Sequence, residues 1–169
     1  MTQVTFQQAA VNVKGSLVKV GDVAPNFVMC KGDLSDYELA ANKGKVLVLS
    51  VVPSLDTPVC QASARAFNQK AAGLGAEVLC ISKDLPFASS RFCQAEGIEN
   101  VVTLSDFRND SNFGEAYGLE IADTVLRGLL TRAVIVVDKE GKVAYVELVG
   151  EITNEPNYDA ALEAAKACL

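Results

Sequence analysis

Val51-Val52-Pro53-Ser54-Leu55-Asp56-Thr57-Pro58-Val59-Cys60 is the stretch on which the reading of this chain turns. An apolar run from Lys45 to Val52 leads into it and has the composition of a buried strand. A segment with helical spacing follows, from about Pro58 to Lys70. Thr57 can cap that helix, and Pro58 suits its first position, where an N–H would be unpaired anyway. Cys60 then becomes the third helical residue, where free N–H groups and the positive end of the helix dipole converge. Both favour a thiolate over a thiol. Many free cysteines are small buried hydrophobes, but a capped first turn is an uncommon place for an inert one.

Outward from this junction, the whole chain of 169 residues fits one α/β domain, residues 1–169, with no linker, repeat or low-complexity stretch to divide it. Its net charge of −6 argues against nucleic-acid or anionic-membrane binding, each of which needs a basic patch. No apolar run is long enough to span a membrane, and the first ten residues do not read as a signal peptide, so a cytoplasmic protein is expected. The chain has no histidine. Ser-His-Asp and Cys-His catalysis and the common histidine metal sites are thereby excluded, and no metal or cofactor is expected. A nucleophile must be activated by an arginine or a helix N-terminus instead. The five cysteines, Cys30, Cys60, Cys80, Cys93 and Cys168, form neither a Cys-x-x-Cys motif nor a zinc knuckle.

Residues 1–20 alternate weakly, which suggests an N-terminal β-hairpin with its turn residues at Lys14-Gly15-Ser16. Phe27 to Cys30 is a short strand in which Cys30 packs. On the first helix Val59, Ala62, Ala66 and Phe67 share a face, with Cys60, Ala64, Phe67 and Ala71 as the adjoining stripe. That puts Cys60 at the margin of the buried face. Glu77 to Ser82 is a second buried strand with Cys80 in the core. A second helix runs from about Pro86 to Glu96 and is stopped by Gly97, with Cys93 near its C-terminal end, a poor place for a first nucleophile but open to a second thiol. Val101 to Ser105 is a third strand, a helix is expected near Ser111 to Tyr117, and Leu119 to Thr131 looks irregular. Ala133 to Val137 and Lys142 to Val149 form a hairpin, and a last helix runs from Asn157 to Cys168. Parallel crossovers followed by an antiparallel hairpin predict a mixed central sheet with helices on both faces.

Pro53-x-x-x-Thr57-x-x-Cys60 matches the peroxiredoxin active-site pattern. With Asp84-Leu85-Pro86-Phe87-Ala88, Ser90-Arg91-Phe92-Cys93, Leu104-Ser105-Asp106-Phe107-Arg108-Asn109, Glu115-Ala116-Tyr117-Gly118 and Arg132-Ala133-Val134, the chain resembles the bacterial thiol peroxidases, atypical two-cysteine peroxiredoxins, along its full length. The resemblance implies a thioredoxin-like fold, a homodimer, and reduction of hydrogen peroxide and organic hydroperoxides with thioredoxin as the electron donor. It also implies that Cys60 is the peroxidatic thiol and Cys93 the resolving thiol of an intramolecular disulfide. Thr57, Pro53 and Arg132 are then the supporting shell.

The chemistry asks for such a shell. A thiolate attacking a peroxide spreads negative charge over sulfur and two oxygens, and fixed donors must meet it. Arg132, directly before the strand at Ala133, can project toward the same pocket; Arg65 on the first helix is the competing guanidinium. Pro53 would shield the thiol from water or simply end the strand. A thioredoxin-type dithiol oxidoreductase lacks support without Cys-x-x-Cys. A peroxide sensor and a structural module with an inert thiol remain as rivals, to be separated from an enzyme by peroxide turnover that Cys60→Ser abolishes.

Overall fold

In the computed structural model, which describes residues 2–108 and 110–169, Asn109 of the motifs above falls outside the described residues. The chain opens with β1 (Thr2–Phe6) and β2 (Ala9–Lys14), paired antiparallel as the expected hairpin. Its turn is at Gln7 and Gln8, both at positive φ (50° and 71°), rather than at Lys14-Gly15-Ser16. Two-residue hairpin turns usually recruit Asn or Gly for that geometry. Here the Glu151 carboxylate, remote in sequence, accepts from the Gln7 and Gln8 amides at 3.3 and 2.9 Å and supplies the missing support.

There follow β3 (Val28–Lys31), β4 (Asp36–Glu38), a 3-10 turn at Ala40–Asn42, β5 (Leu47–Val51), α1 (Pro58–Ala71), β6 (Glu77–Ser82), α2 (Pro86–Glu96), β7 (Val101–Ser105), α3 (Phe113–Tyr117), β8 (Glu120–Ile121), β9 (Ala133–Val137), β10 (Val143–Leu148) and α4 (Tyr158–Ala167). A seven-stranded sheet has the order β10-β9-β5-β6-β7-β3-β4. Within it β5, β6 and β7 are parallel, and β9 runs antiparallel to β5. A second, three-stranded sheet joins β8 to the N-terminal hairpin in the order β1-β2-β8. The stretch expected to be irregular, Leu119 to Thr131, thus contributes one short strand. Two residues carry too little alternation to be read as a strand from sequence.

The period-two pattern of β5 sorts the core. Leu47, Leu49 and Val51 face a cluster that includes Phe113 and Tyr117 of α3, with Phe27 edge-on to Phe113 at 5.3 Å. Val48 faces the opposite cluster, built with Ala64 and Phe67 of α1, Phe92 of α2 and Ala161 and Leu162 of α4. Helices therefore cover both faces, α1, α2 and α4 on one and α3 on the other. On α1 the buried stripe is Cys60, Ser63, Ala64, Phe67 and Ala71, whereas Val59, Ala62 and Ala66 are only partly buried. Cys60 accordingly lies within the buried face and not at its margin.

Candidate active site

The site forms where β5 ends. Val51 pairs with Ala133 in the antiparallel β5–β9 register, so Arg132, one residue before β9, comes out at the same end of the sheet as the loop leaving β5. That loop, Pro53 to Thr57, turns the chain into α1 at the C-terminal edge of the parallel strands, the usual place for a site in such sheets. Pro58 is the first helical residue and Cys60 the third. Helix geometry leaves the Val59 and Cys60 amides without a carbonyl one turn earlier to bond to.

Arg132 reaches Cys60. Its NH2 lies 3.2 Å from the Cys60 Sγ, and its Nε donates to the Ile152 carbonyl at 2.8 Å. Both side chains are enclosed, with Cys60 0% and Arg132 3% exposed. The third guanidinium nitrogen, NH1, is buried and has no hydrogen-bond partner among the described residues. No carboxylate among them forms an ion pair with Arg132. A buried cation needs compensation, and the atom in contact that can carry a countercharge is the Cys60 sulfur. Arg65, the competing guanidinium, is exposed on α1 and paired with Glu96 at 2.8 Å.

Thr57 occupies the N-cap position but does not cap with its side chain. Its Oγ1 donates instead to the Ser54 carbonyl at 3.0 Å. With the hydroxyl hydrogen committed, the oxygen's lone pairs are left to accept a bond from something outside the loop. Pro53 is buried above the end of β5. The loop is also tied down by a residue that heads one of the quoted motifs but is given no role there. The Asp84 carboxylate accepts from Ser54 Oγ at 2.8 Å, from the Leu55 amide at 2.7 Å and from Ser82 Oγ at 2.9 Å.

Cys93 is on α2, where the Gly97 and Ile98 amides both close on its carbonyl at the helix end. It is half-buried against the same apolar cluster as Cys60, with its Sγ 4.0 Å from Thr103 Oγ1 on β7. Burial pushes its thiol pKa up, and the Thr103 contact opposes that only in part. Cys80 is sealed in β6, its pKa raised chiefly by burial, and Cys30 is buried in β3. All five cysteines are free thiols, so this is the dithiol form. Among the described residues no group of His, Cys, Asp and Glu could hold a metal ion.

A family model described as Redoxin matches residues 19–162. The chain belongs to the redoxin family, on its thiol peroxidase branch. Over 167 residues it is 52% identical to the thiol peroxidase of Mycobacterium tuberculosis, with 99% of this chain and 100% of that one covered. Over 168 residues it is 52% identical to the thiol peroxidase of Bacillus subtilis, covering 99% and 98%. Among solved structures, a peroxiredoxin-like protein from Aquifex aeolicus superimposes with a TM-score of 0.94 at 45% identity, covering 100% of this chain and 98% of that one. A thiol peroxidase from Chromobacterium violaceum reaches a TM-score of 0.89 at 21% identity, covering 99% and 97%, which shows the shared fold.

Proposed function

We propose that this peroxiredoxin-type enzyme reduces hydrogen peroxide and organic hydroperoxides through Cys60 and resolves the product with Cys93. The observation that carries the reading is the Arg132 NH2 at 3.2 Å from the Cys60 sulfur in an enclosed site. The Cys60 thiolate attacks the terminal peroxide oxygen, the O–O bond breaks, and the departing alkoxide or hydroxide takes a proton to leave as alcohol or water. Cys60 becomes a sulfenic acid. The unpaired Arg132 NH1 offers a donor to the peroxide oxygens, and the Thr57 oxygen accepts the peroxide O–H. Neither needs to reorganise as charge moves from sulfur to oxygen. Pro53 keeps water from the sulfur.

The Cys93 thiol then attacks the Cys60 sulfenic sulfur and releases water, which leaves an intramolecular disulfide. A disulfide needs its two α-carbons about 4.4–6.8 Å apart, and in this reading the turn of α1 that encloses Cys60 against Arg132 opens to bring the two sulfurs together. A thioredoxin dithiol reduces the disulfide by exchange. The reading includes a cytoplasmic homodimer. Leu85 and Phe87, 54% and 67% exposed at the head of α2, offer an apolar surface to a second copy.

The test is peroxide consumption coupled to thioredoxin and its reductase, with disulfide mapping by mass after one equivalent of peroxide. Wild-type protein is expected to turn over and to show a Cys60–Cys93 bond within one chain. Cys60→Ser should abolish both the oxidation and the turnover. Cys93→Ser should keep one round of oxidation and lose turnover. A Cys60 disulfide between chains would reject the intramolecular assignment.

A further inference from the structure

We infer that Asp84 is a positioning residue that sets the balance between the two chemical steps, and the inference rests on the Cys60–Cys93 reading above. Asp84 sits between the two segments that carry the reacting sulfurs. It follows β6 and precedes α2, the helix of Cys93, while its carboxylate reaches back to the loop that presents Cys60. Oδ1 takes the Ser54 hydroxyl at 2.8 Å, and Oδ2 takes the Leu55 amide at 2.7 Å and the Ser82 hydroxyl at 2.9 Å. The Asp84 backbone is fixed as well, its amide on Ser82 Oγ at 3.2 Å and its carbonyl on the Ser105 hydroxyl of β7. The anchor is therefore part of the sheet floor, and the loop hangs from it.

The clamp reaches the chemistry through Ser54. The Ser54 hydroxyl is held by Asp84 and also receives the Asp56 amide at 3.2 Å, while the Ser54 carbonyl holds the Thr57 hydroxyl at 3.0 Å. Asp84, Ser54 and Thr57 form one chain of bonds ending at the hydroxyl that meets the peroxide. An intact clamp therefore presents Thr57 and the first turn of α1 in the geometry for attack. The same clamp resists the opening that the disulfide needs. Loosening it must slow the first step and speed the second. Loss of general stability would slow or disorder both.

The experiment compares wild type, Asp84→Asn and Ser54→Ala. Rapid-quench alkylation with intact mass gives the rate of Cys60 oxidation, the rate of disulfide formation, and the fraction of sulfinic acid at excess peroxide. Asp84→Asn keeps the shape but loses the charge that three donors share. Its first oxidation is expected to fall about tenfold, the effect of weakening bonds to a charged acceptor. Disulfide formation should accelerate and the sulfinic fraction should fall. Ser54→Ala, which removes one arm and leaves the Leu55 bond, should move the three readouts in the same directions by less, and it serves if Asp84→Asn does not fold. Rates within twofold of wild type in the folded variants, or both rates falling together, would overturn the assignment. A wild-type protein that oxidises at Cys60 without forming the disulfide would instead sink the Cys93 reading, and the first-oxidation comparison would still decide whether Asp84 positions the loop.

Discussion

Replacing Arg132 by methionine separates catalysis from stability in a way the structure makes quantitative. The guanidinium donates to the Cys60 sulfur at 3.2 Å and to the Ile152 carbonyl at 2.8 Å, and it has no carboxylate partner among the described residues. Methionine fills similar space without charge. Removing one preorganised donor to a developing negative charge costs about 2.7–4 kcal/mol in the barrier, or roughly 100- to 1,000-fold in rate. In the proposed mechanism Arg132 bears both on the sulfur and, through its second terminal nitrogen, on the substrate, so the upper end of that range is expected for Arg132→Met. Arg132→Lys should recover little, because one ammonium cannot serve Ile152, sulfur and peroxide in fixed directions. Stability should change little or fall, since the buried cation goes but the Ile152 carbonyl loses its donor and the Cys60 sulfur its countercharge, a loss the sulfur can offset by taking up a proton. The chain lacks tryptophan, so the assay is quench-flow alkylation with intact mass, under single turnover, beside a thermal melt. If Arg132→Met oxidised within threefold of wild type while folded, the role given to the guanidinium would be wrong.

Other outcomes follow from neighbouring contacts. Thr57→Val should lose about 100-fold in the first oxidation by removing the acceptor oxygen, while Thr57→Ser stays within a few-fold; equal losses in both would make the methyl group, and not the hydroxyl, the relevant part. Glu151 has its carboxyl pKa lowered to about 2, first by the Thr153 amide and then by the Gln8 amide. Its depressed value means that its support of the N-terminal hairpin is complete above the ordinary carboxylate range and is lost as pH falls toward 2. Protection factors for the Gln7 and Gln8 amides should drop between pH 5 and pH 2.5 in wild type, and Glu151→Gln should show low protection throughout. Gly118→Ala should cost several kcal/mol (about 2–5), because Gly118 sits at φ 72° and an added Cβ would stand 2.3 Å from the Ser16 carbonyl carbon. A melting temperature within two degrees of wild type would contradict that steric reading.

Much of the site was legible in the residues because its parts are local. The apolar run into Pro53, the proline at the first helical position and the cysteine two residues later specify a strand, a turn and a helix start without reference to anything distant. The absence of histidine narrowed the activator to a guanidinium or a helix end by chemistry alone. The helix face was harder, since on α1 two adjoining stripes are both apolar enough to be buried. Packing against β6 and α4 chose the one with Cys60 and Ser63. The cap failed for a similar reason. A threonine before a helix offers one oxygen and one hydrogen, and the nearby Ser54 carbonyl took the hydrogen.

By itself, then, the sequence determined the parallel β5–β7 core and the position of Cys60 as the third residue of its helix, both set by side-chain type and short-range periodicity. Only the tertiary structure placed Arg132, and not Arg65, against the Cys60 sulfur, through the antiparallel register that sets Ala133 beside Val51. Only it could reveal how Arg132 is held. The Ile152 amide donates to the Thr5 carbonyl of the N-terminal hairpin at 2.8 Å, and the Ile152 carbonyl receives the guanidinium. Main-chain groups of this kind are the same in every residue, so no pattern of side chains announces them; they become a binding element when the fold brings distant backbone to a buried charge.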